Sequence, residues 1–167
     1  MEPVNPHCQH FLMLFIRFFE HSHDTVRSIS WSLPSTAPAV ADTITAHFED
    51  TGRDFGDYDR VFTGDLGWIG RDILMELLAE RGAAPDGEKL VDCGASLFSQ
   101  EQDPHAGGSG CGCVAAVTCG YVLRGIEEGA WRRVLVAASG AMLSPTSSQQ
   151  GESIPGISYA AALEADD

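Results

Sequence analysis

The sequence predicts an α/β protein. Segments with helical spacing of apolar residues alternate with short apolar runs, and glycines stand where each helix must stop. One run, "RRVLVAAS" (Arg132–Ser139), is almost wholly apolar, as in a central strand covered on both faces. Strands that alternate with helices pack as layers around a sheet.

In order along the chain, "STAPAVADTITAHFEDTG" offers a Ser/Thr cap, an early proline and a closing Gly52, outlining a helix of about 12 residues. "YDRVFTG" is a short strand ending at Gly64. "DLGWIGRDILMELLAERG" places Ile69, Ile73, Leu77 and Leu78 on one helical face and Asp72, Glu76 and Glu80 on another, with Gly82 as the stop. "APDGE" is a turn, and "KLVDCGASLF" reads as one or two short strands. A helix begins near Gly110 and ends before Gly129. "RRVLVAAS" follows, then the long polar loop "GAMLSPTSSQQGESIPG", and "ISYAAALE" closes as a strand of small residues.

Residues 1–34 differ in character. They hold four of the six histidines, no glycine, and the run "FLMLFIRFF" (Phe11–Phe19). That run is nine residues, interrupted by Arg17, whereas a membrane-spanning helix needs roughly 20. The start "MEPVNPHCQH" has no basic residue of the kind a signal peptide opens with. The expectation is an extension foreign to the domain at 35–167, arising from an altered reading frame or a misplaced start. Abundant peptides from residues 1–34 in a proteomic search would refute it.

The 24 acidic and 10 basic residues give a net charge of −14. A nucleic-acid partner needs clustered Lys and Arg, so the balance argues against one. It also disfavours direct docking on anionic lipid. Five cysteines (Cys8, Cys93, Cys111, Cys113 and Cys119) make an odd count, which suits a reducing compartment better than a disulfide framework.

The chemistry concentrates in "QDPHAGGSGCGCVAAVTCGYVL" (Gln102–Leu123). A zinc site wants paired spacings such as C-x2-C, and only one Cys-x-Cys stands here, with His105 six residues before Cys111. A nucleophilic Cys111 or Cys113 gains from a helix start but needs an activating base, and His105 is the base nearby. An anion cradle uses glycine backbone N–H groups and the helix dipole. Against it stands the use of Gly107, Gly108, Gly110 and Gly112 for close helix–strand packing. The residues alone leave these last two readings open. In "TGDLGWIG", Asp65 is a candidate ligand group, although a helix N-cap is its commoner role. In "SPTSSQQGES", Thr146, Ser147 and Ser148 are candidate binding hydroxyls or plain turn residues.

"YDRVFTGDLGWIGRDILMELL", "DPHAGGSGCGCVAAVTCGYVL" and above all "LSPTSSQQGESIPGI" resemble the C-terminal half of the stage V sporulation protein AD family, roughly over Pro38–Glu164. The resemblance implies a thiolase-like layered α/β/α fold, of which this chain carries the C-terminal half only. It also implies binding of dipicolinic acid and help with its uptake into the developing spore. No catalysis is implied and no cofactor of the protein's own, with calcium accompanying the ligand. Other proteins of the spore membrane channel assembly are implied partners, holding the protein on the forespore's cytoplasmic face at the inner membrane.

The condensing enzymes of the superfamily carry a His where this chain has Gly64 or its neighbour. They carry an Asn near the position of Ser109 or Gly110, and Asn5 is the only asparagine here. Their nucleophilic Cys lies in the half this chain lacks. The ligand set the resemblance suggests is His105, Gly107, Gly108, Ser109, Cys111, Asp65, Thr146, Ser147 and Ser148, with no metal. An acyltransferase using Cys111 or Cys113, and an inert fragment, are the alternatives. A half-length chain is expected to self-associate or to need its other half.

Overall fold

A computed structural model of the chain describes residues 36–83, 85–102, 106–141, 150 and 155–165. The segment 1–34, His105 and Thr146–Ser148 therefore lie outside the described residues.

The fold is mixed α/β. Helix α1 (Ala37–Thr51) carries proline in its first turn and ends on Gly52 at φ 66°, the left-handed cap that glycine adopts freely. A short 3-10 turn (Phe55–Asp57) leads to strand β1 (Arg60–Thr63), followed by α2 (Gly67–Glu80). Strand β2 (Leu90–Asp92) runs directly into a one-turn helix, α3 (Cys93–Ser96). The expected helix from Gly110 to Gly129 is present as α4 (Cys113–Val117), a π turn (Thr118–Val122) and α5 (Leu123–Glu127). Strands β3 (Arg133–Ala141) and β4 (Gly156–Glu164) complete the sheet.

The strand order is β2-β1-β3-β4. β1 is parallel to both β2 and β3, with Val61 opposite Leu90 and Leu135. β4 is antiparallel to β3 over nine pairs, from Arg133↔Glu164 to Ala141↔Gly156.

Alternate residues of each strand feed two cores, as the period of a pleated strand requires. Val61, Leu90, Leu135 and Ala137 pack with Val40, Ile44 and Phe48 of α1 and Leu74 and Leu78 of α2. Phe62, Val134 and Val136 face the other way, against Cys113, Val117 and Val122. Helices therefore cover both faces of β1 and β3, which is why "VLVA" reads as a continuous apolar run rather than an alternating one.

Two expectations are corrected. The second half of "KLVDCGASLF" is helical, because the Asp92 side chain accepts the Ala95 N–H at 3.0 Å and caps a turn there. In α2 the buried stripe is Gly67, Gly70, Leu74 and Leu78, while Ile69 is 59% exposed. Ile73 and Leu77 are only partly buried at the margin of that core. The π turn was not expected from sequence.

Gly67, at φ 69°, carries the tightest of these approaches: a Cβ there would run into the Ala106 carbonyl. Gly82, at φ 78°, has open space around it. Gly67→Ala is expected to cost about 3 kcal/mol or more, since strain and clash add. Gly82→Ala should cost only about 1–2 kcal/mol for its backbone conformation. Urea unfolding of both variants checks the difference, and equal costs would refute the close-packing account.

Candidate functional site

From β1 the chain passes to β2 on one side and afterwards to β3 on the other, so the order reverses between β1 and β3. Open α/β sheets bind ligands in the crevice beyond the carboxyl ends of the strands at such a point. Here Gly64 and Asp65 leave β1, while β3 runs on past Ala137, its last residue paired with β1. Gly64 lies so near that a Cβ on it would be 2.6 Å from Ser139 Oγ.

One side chain organises this end of the sheet. Asp92 is 1% exposed. Its Oδ2 accepts the Thr63 hydroxyl at 2.7 Å and the Leu66 N–H at 2.9 Å; its Oδ1 accepts the Gly67 N–H at 2.9 Å and the Ala95 N–H at 3.0 Å. A single carboxylate thus caps α2 and α3 and ties both to β1. Burial raises its pKa, against the lowering effect of the four hydrogen bonds.

That corrects the cap assigned to Asp65. No side chain caps α2 from its own N-cap position, because the Asp92 carboxylate takes those N–H groups. Asp65 turns instead to the glycine-rich segment, where its Oδ2 accepts the Ser109 hydroxyl at 2.8 Å and the Gly110 N–H at 2.9 Å.

The glycine-rich segment is seated on backbone. The Gly108 N–H donates to Gly94 O at 2.8 Å, the Trp68 N–H to Ala106 O at 2.9 Å, and the Gly94 N–H to Gly64 O at 3.3 Å. A Cβ on Gly94 would strike the Gly108 carbonyl, and one on Gly107 (φ 112°) would sit 3.0 Å from Gly94 O. Close packing accounts for these glycines, and the N–H groups of Gly108 and Gly110 are committed to protein acceptors. Of the residues expected at the site, Asp65, Gly107, Gly108 and Ser109 are brought together. Cys111 is exposed just before α4.

Beside them lies an open cleft of 480 Å³, lined by Leu97, Phe98, Gln102, Gly107, Gly108 and Ser109. Leu97 and Phe98 are 49% and 43% exposed, large apolar side chains standing in solvent. Gln102 Oε1 accepts the Ser99 N–H at 3.0 Å, which leaves the Nε2 amide as the donor end of that side chain. Sequence reasoning missed Leu97, Phe98, Gln102 and Asp92. Leu97 and Phe98 follow α3 and Gln102 ends a 3-10 turn (Gln100–Gln102), and the spacing in "CGASLFSQEQ" does not show that these three line one cleft.

Two of the cysteines near the site, Cys93 and Cys113, are buried and not poised as nucleophiles. Burial, helped by the charges of Asp65 and Asp92, pushes the Cys113 thiol up to about 12. Burial likewise raises Cys93, with Cys113 and Asp92 adding to it. Among the described residues, no group of three or more His, Cys, Asp or Glu side chains is placed to hold a metal ion. No described helix is long and apolar enough to cross a membrane.

The sheet and cleft define a mixed α/β protein with an open cleft beside its glycine-rich segment. Comparison with known proteins narrows the class. A family model described as Stage V sporulation protein AD (SpoVAD) matches residues 32–164. Over 128 residues the chain is 46% identical to the Stage V sporulation protein AD of Bacillus subtilis (strain 168), covering 77% of this chain and 38% of that protein. The chain belongs to the stage V sporulation protein AD family and spans 38% of the length of that curated relative.

Asp92→Asn tests the organising role. An amide keeps one acceptor oxygen and must face at least one N–H with its own N–H2, so a loss of about 1–3 kcal/mol is expected. The pH dependence has a definite sign. A carboxyl whose folded-state pKa is raised contributes stability fully present below the unfolded pKa and lost as pH rises through the folded one. The stability gap between wild type and Asp92→Asn should therefore narrow as pH rises from the ordinary Asp range. Chemical unfolding across pH measures it, and a gap that widens would refute the assignment.

Proposed function

We propose that this chain is a non-catalytic sporulation protein that binds dipicolinic acid and assists its uptake into the developing spore. Family membership supports the setting in sporulation. The observation that carries the ligand reading is the open cleft beside the glycine-rich segment. Leu97 and Phe98 offer apolar faces to a flat ring, and the Gln102 amide stands at its polar edge.

Dipicolinate is a planar ring with two carboxylates, so it matches a slot with apolar walls and donors at the rim. The committed amides of Gly108 and Gly110 shift the burden of recognition from the helix start to side chains. In this reading His105 adds a donor when protonated. Thr146, Ser147 and Ser148 belong to the loop joining β3 to β4, whose anchors Ala141 and Gly156 pair at the same end of the sheet. Calcium arrives with the ligand. Other proteins of the spore membrane channel assembly hold this one on the forespore's cytoplasmic face, and any activity of the longer relative is proposed here on the same footing.

Calorimetric titration with dipicolinate, with and without calcium, tests the reading. Heat of binding is expected for the wild type, and about tenfold weaker binding for Gln102→Glu, which sets an acceptor and a charge where a donor stood. His105→Ala should weaken binding more at acidic than at neutral pH. No heat under any condition would sink the proposal. The acyltransferase reading is tested on the same sample by thiol alkylation. Cys111 should react in the native protein, and Cys93 and Cys113 only after unfolding. Acyl label retained on Cys111 or Cys113 would favour an enzyme instead.

A further inference from the structure

On one side the sheet ends in β4, which pairs with β3 alone among the described residues. The strand is nine residues long, and its one-to-one register with β3 runs without a bulge from Gly156 to Glu164. The opposite edge, β2, has three residues. A long edge strand presents a row of N–H and C=O groups without strand partners, and proteins guard such rows with charge, proline, bulges or brevity. In β4 these guards are missing: "GISYAAALE" has no proline, and its one charged residue is the terminal Glu164.

The direction of the free groups follows from the ladder. The Ala165 N–H donates to Arg132 O at 2.8 Å, and along an antiparallel strand alternate residues turn their backbone groups to the same neighbour. The odd-numbered residues of β4 therefore bond to β3. Gly156, Ser158, Ala160, Ala162 and Glu164 turn their N–H and C=O outward. In keeping with that direction, the Thr43 hydroxyl of α1 donates to Ser158 O at 3.2 Å, which leaves that oxygen a second lone pair.

The charge pattern singles out this edge. With a net charge of −14, two copies of the chain repel one another on average. Glu164, however, is held by Arg53 at 2.8 Å and by Arg133 at 3.1 Å, so β4 carries no unpaired charge. Ile157 and Tyr159 are 51% and 72% exposed. They share a face with Ala161, also exposed, and with Leu163, which packs on the core beneath α4 and α5.

We propose that β4 is a homodimer interface, two copies joining edge to edge and antiparallel about a twofold axis at Ala160, the midpoint of the strand. That register uses the whole strand. Ala160 meets its counterpart, Ser158 meets Ala162, and Gly156 meets Glu164, each pair through its outward backbone groups. Between them, the closer pairs that share no hydrogen bond set Tyr159 opposite Ala161 and Ile157 opposite Leu163. A large ring thus covers a small side chain, and apolar meets apolar. The contact consumes the long edge of each copy and leaves only the short β2, so assembly closes at two. The claim stands apart from the ligand reading, whose cleft is lined by other residues.

Sedimentation equilibrium of the full chain tests it. A species of twice the 17.9 kDa chain mass should form as concentration rises. Added salt should tighten the association, because it screens the repulsion between two acidic chains. Ala162→Pro removes an outward N–H and no bond to β3, at the kind of position where an edge strand accepts proline. It should weaken association about tenfold or more, since the twofold axis counts the loss twice. Tyr159→Ala trims a side chain that is exposed in the single chain, and should weaken association while leaving the thermal melt of dilute protein close to wild type. Amide hydrogen exchange of the wild type reads the edge directly. Ser158, Ala160 and Ala162 should exchange faster on dilution, while Tyr159 and Ala161, bonded to β3, keep their protection. The inference is overturned by a chain that stays monomeric at every concentration, by assemblies that grow past two copies, or by association that salt weakens. It is overturned equally if both variants associate as the wild type does. Protection of Ser158, Ala160 and Ala162 that persists unchanged on dilution would assign the edge to another segment of the same chain, and would overturn it too.

Discussion

The buried carboxylate of Asp92 is the interaction on which this end of the molecule depends. Four donors from three segments converge on two oxygen atoms. A buried carboxylate is tolerable only when its oxygens are saturated in this way. The arrangement links β1, the start of α2 and the turn of α3. The last of these carries Gly94, on which the glycine-rich segment sits. Site geometry and fold stability are therefore coupled through one side chain that touches no cleft.

A second carboxylate, Asp65, extends the same logic outward. It holds Ser109 and Gly110, so the segment before α4 is fastened at both sides: by Gly94 from below and by Asp65 from beside. Two acidic residues thus spend their hydrogen-bonding capacity on backbone and hydroxyl donors of the site itself. What remains to face a ligand is a slot of side chains, Leu97, Phe98 and Gln102, rather than a ring of bare amides.

The two faces of the sheet serve different ends. On the α1–α2 face the core is continuous from Val40 and Ile44 to Leu74 and Leu78. On the α4–α5 face a smaller core around Phe62, Val122 and Val134 borders open aromatic surface. The π turn marks the boundary: it holds Val122 inside and Tyr121 outside within consecutive positions of one helix.

Much of the fold was legible because local chemistry and tertiary role coincide. Gly52, Gly82 and Gly129 stop helices at positive φ, and glycine tolerates that conformation in any context. "RRVLVAAS" is apolar throughout because helices cover both its faces. The family resemblance rested on motifs long enough to stand without structure. Other features depended on partners distant in sequence. Asp92 reads locally as a residue in a strand, and only its meeting with Thr63, Leu66 and Gly67 makes it a cap. Asp65 reads as a cap and is a tether, because Asp92 reaches the helix start first. The glycines of "HAGGSGCGC" fit a cradle and a packing seam equally well until Gly94 and Gly108 are seen in contact. The sequence by itself determined the element order and the positions where backbone freedom was required, since those follow from each residue's own conformational limits. Which donors each carboxylate would satisfy, and which side chains would meet across a cleft, the tertiary structure alone decided, because burial and distance are properties of pairs.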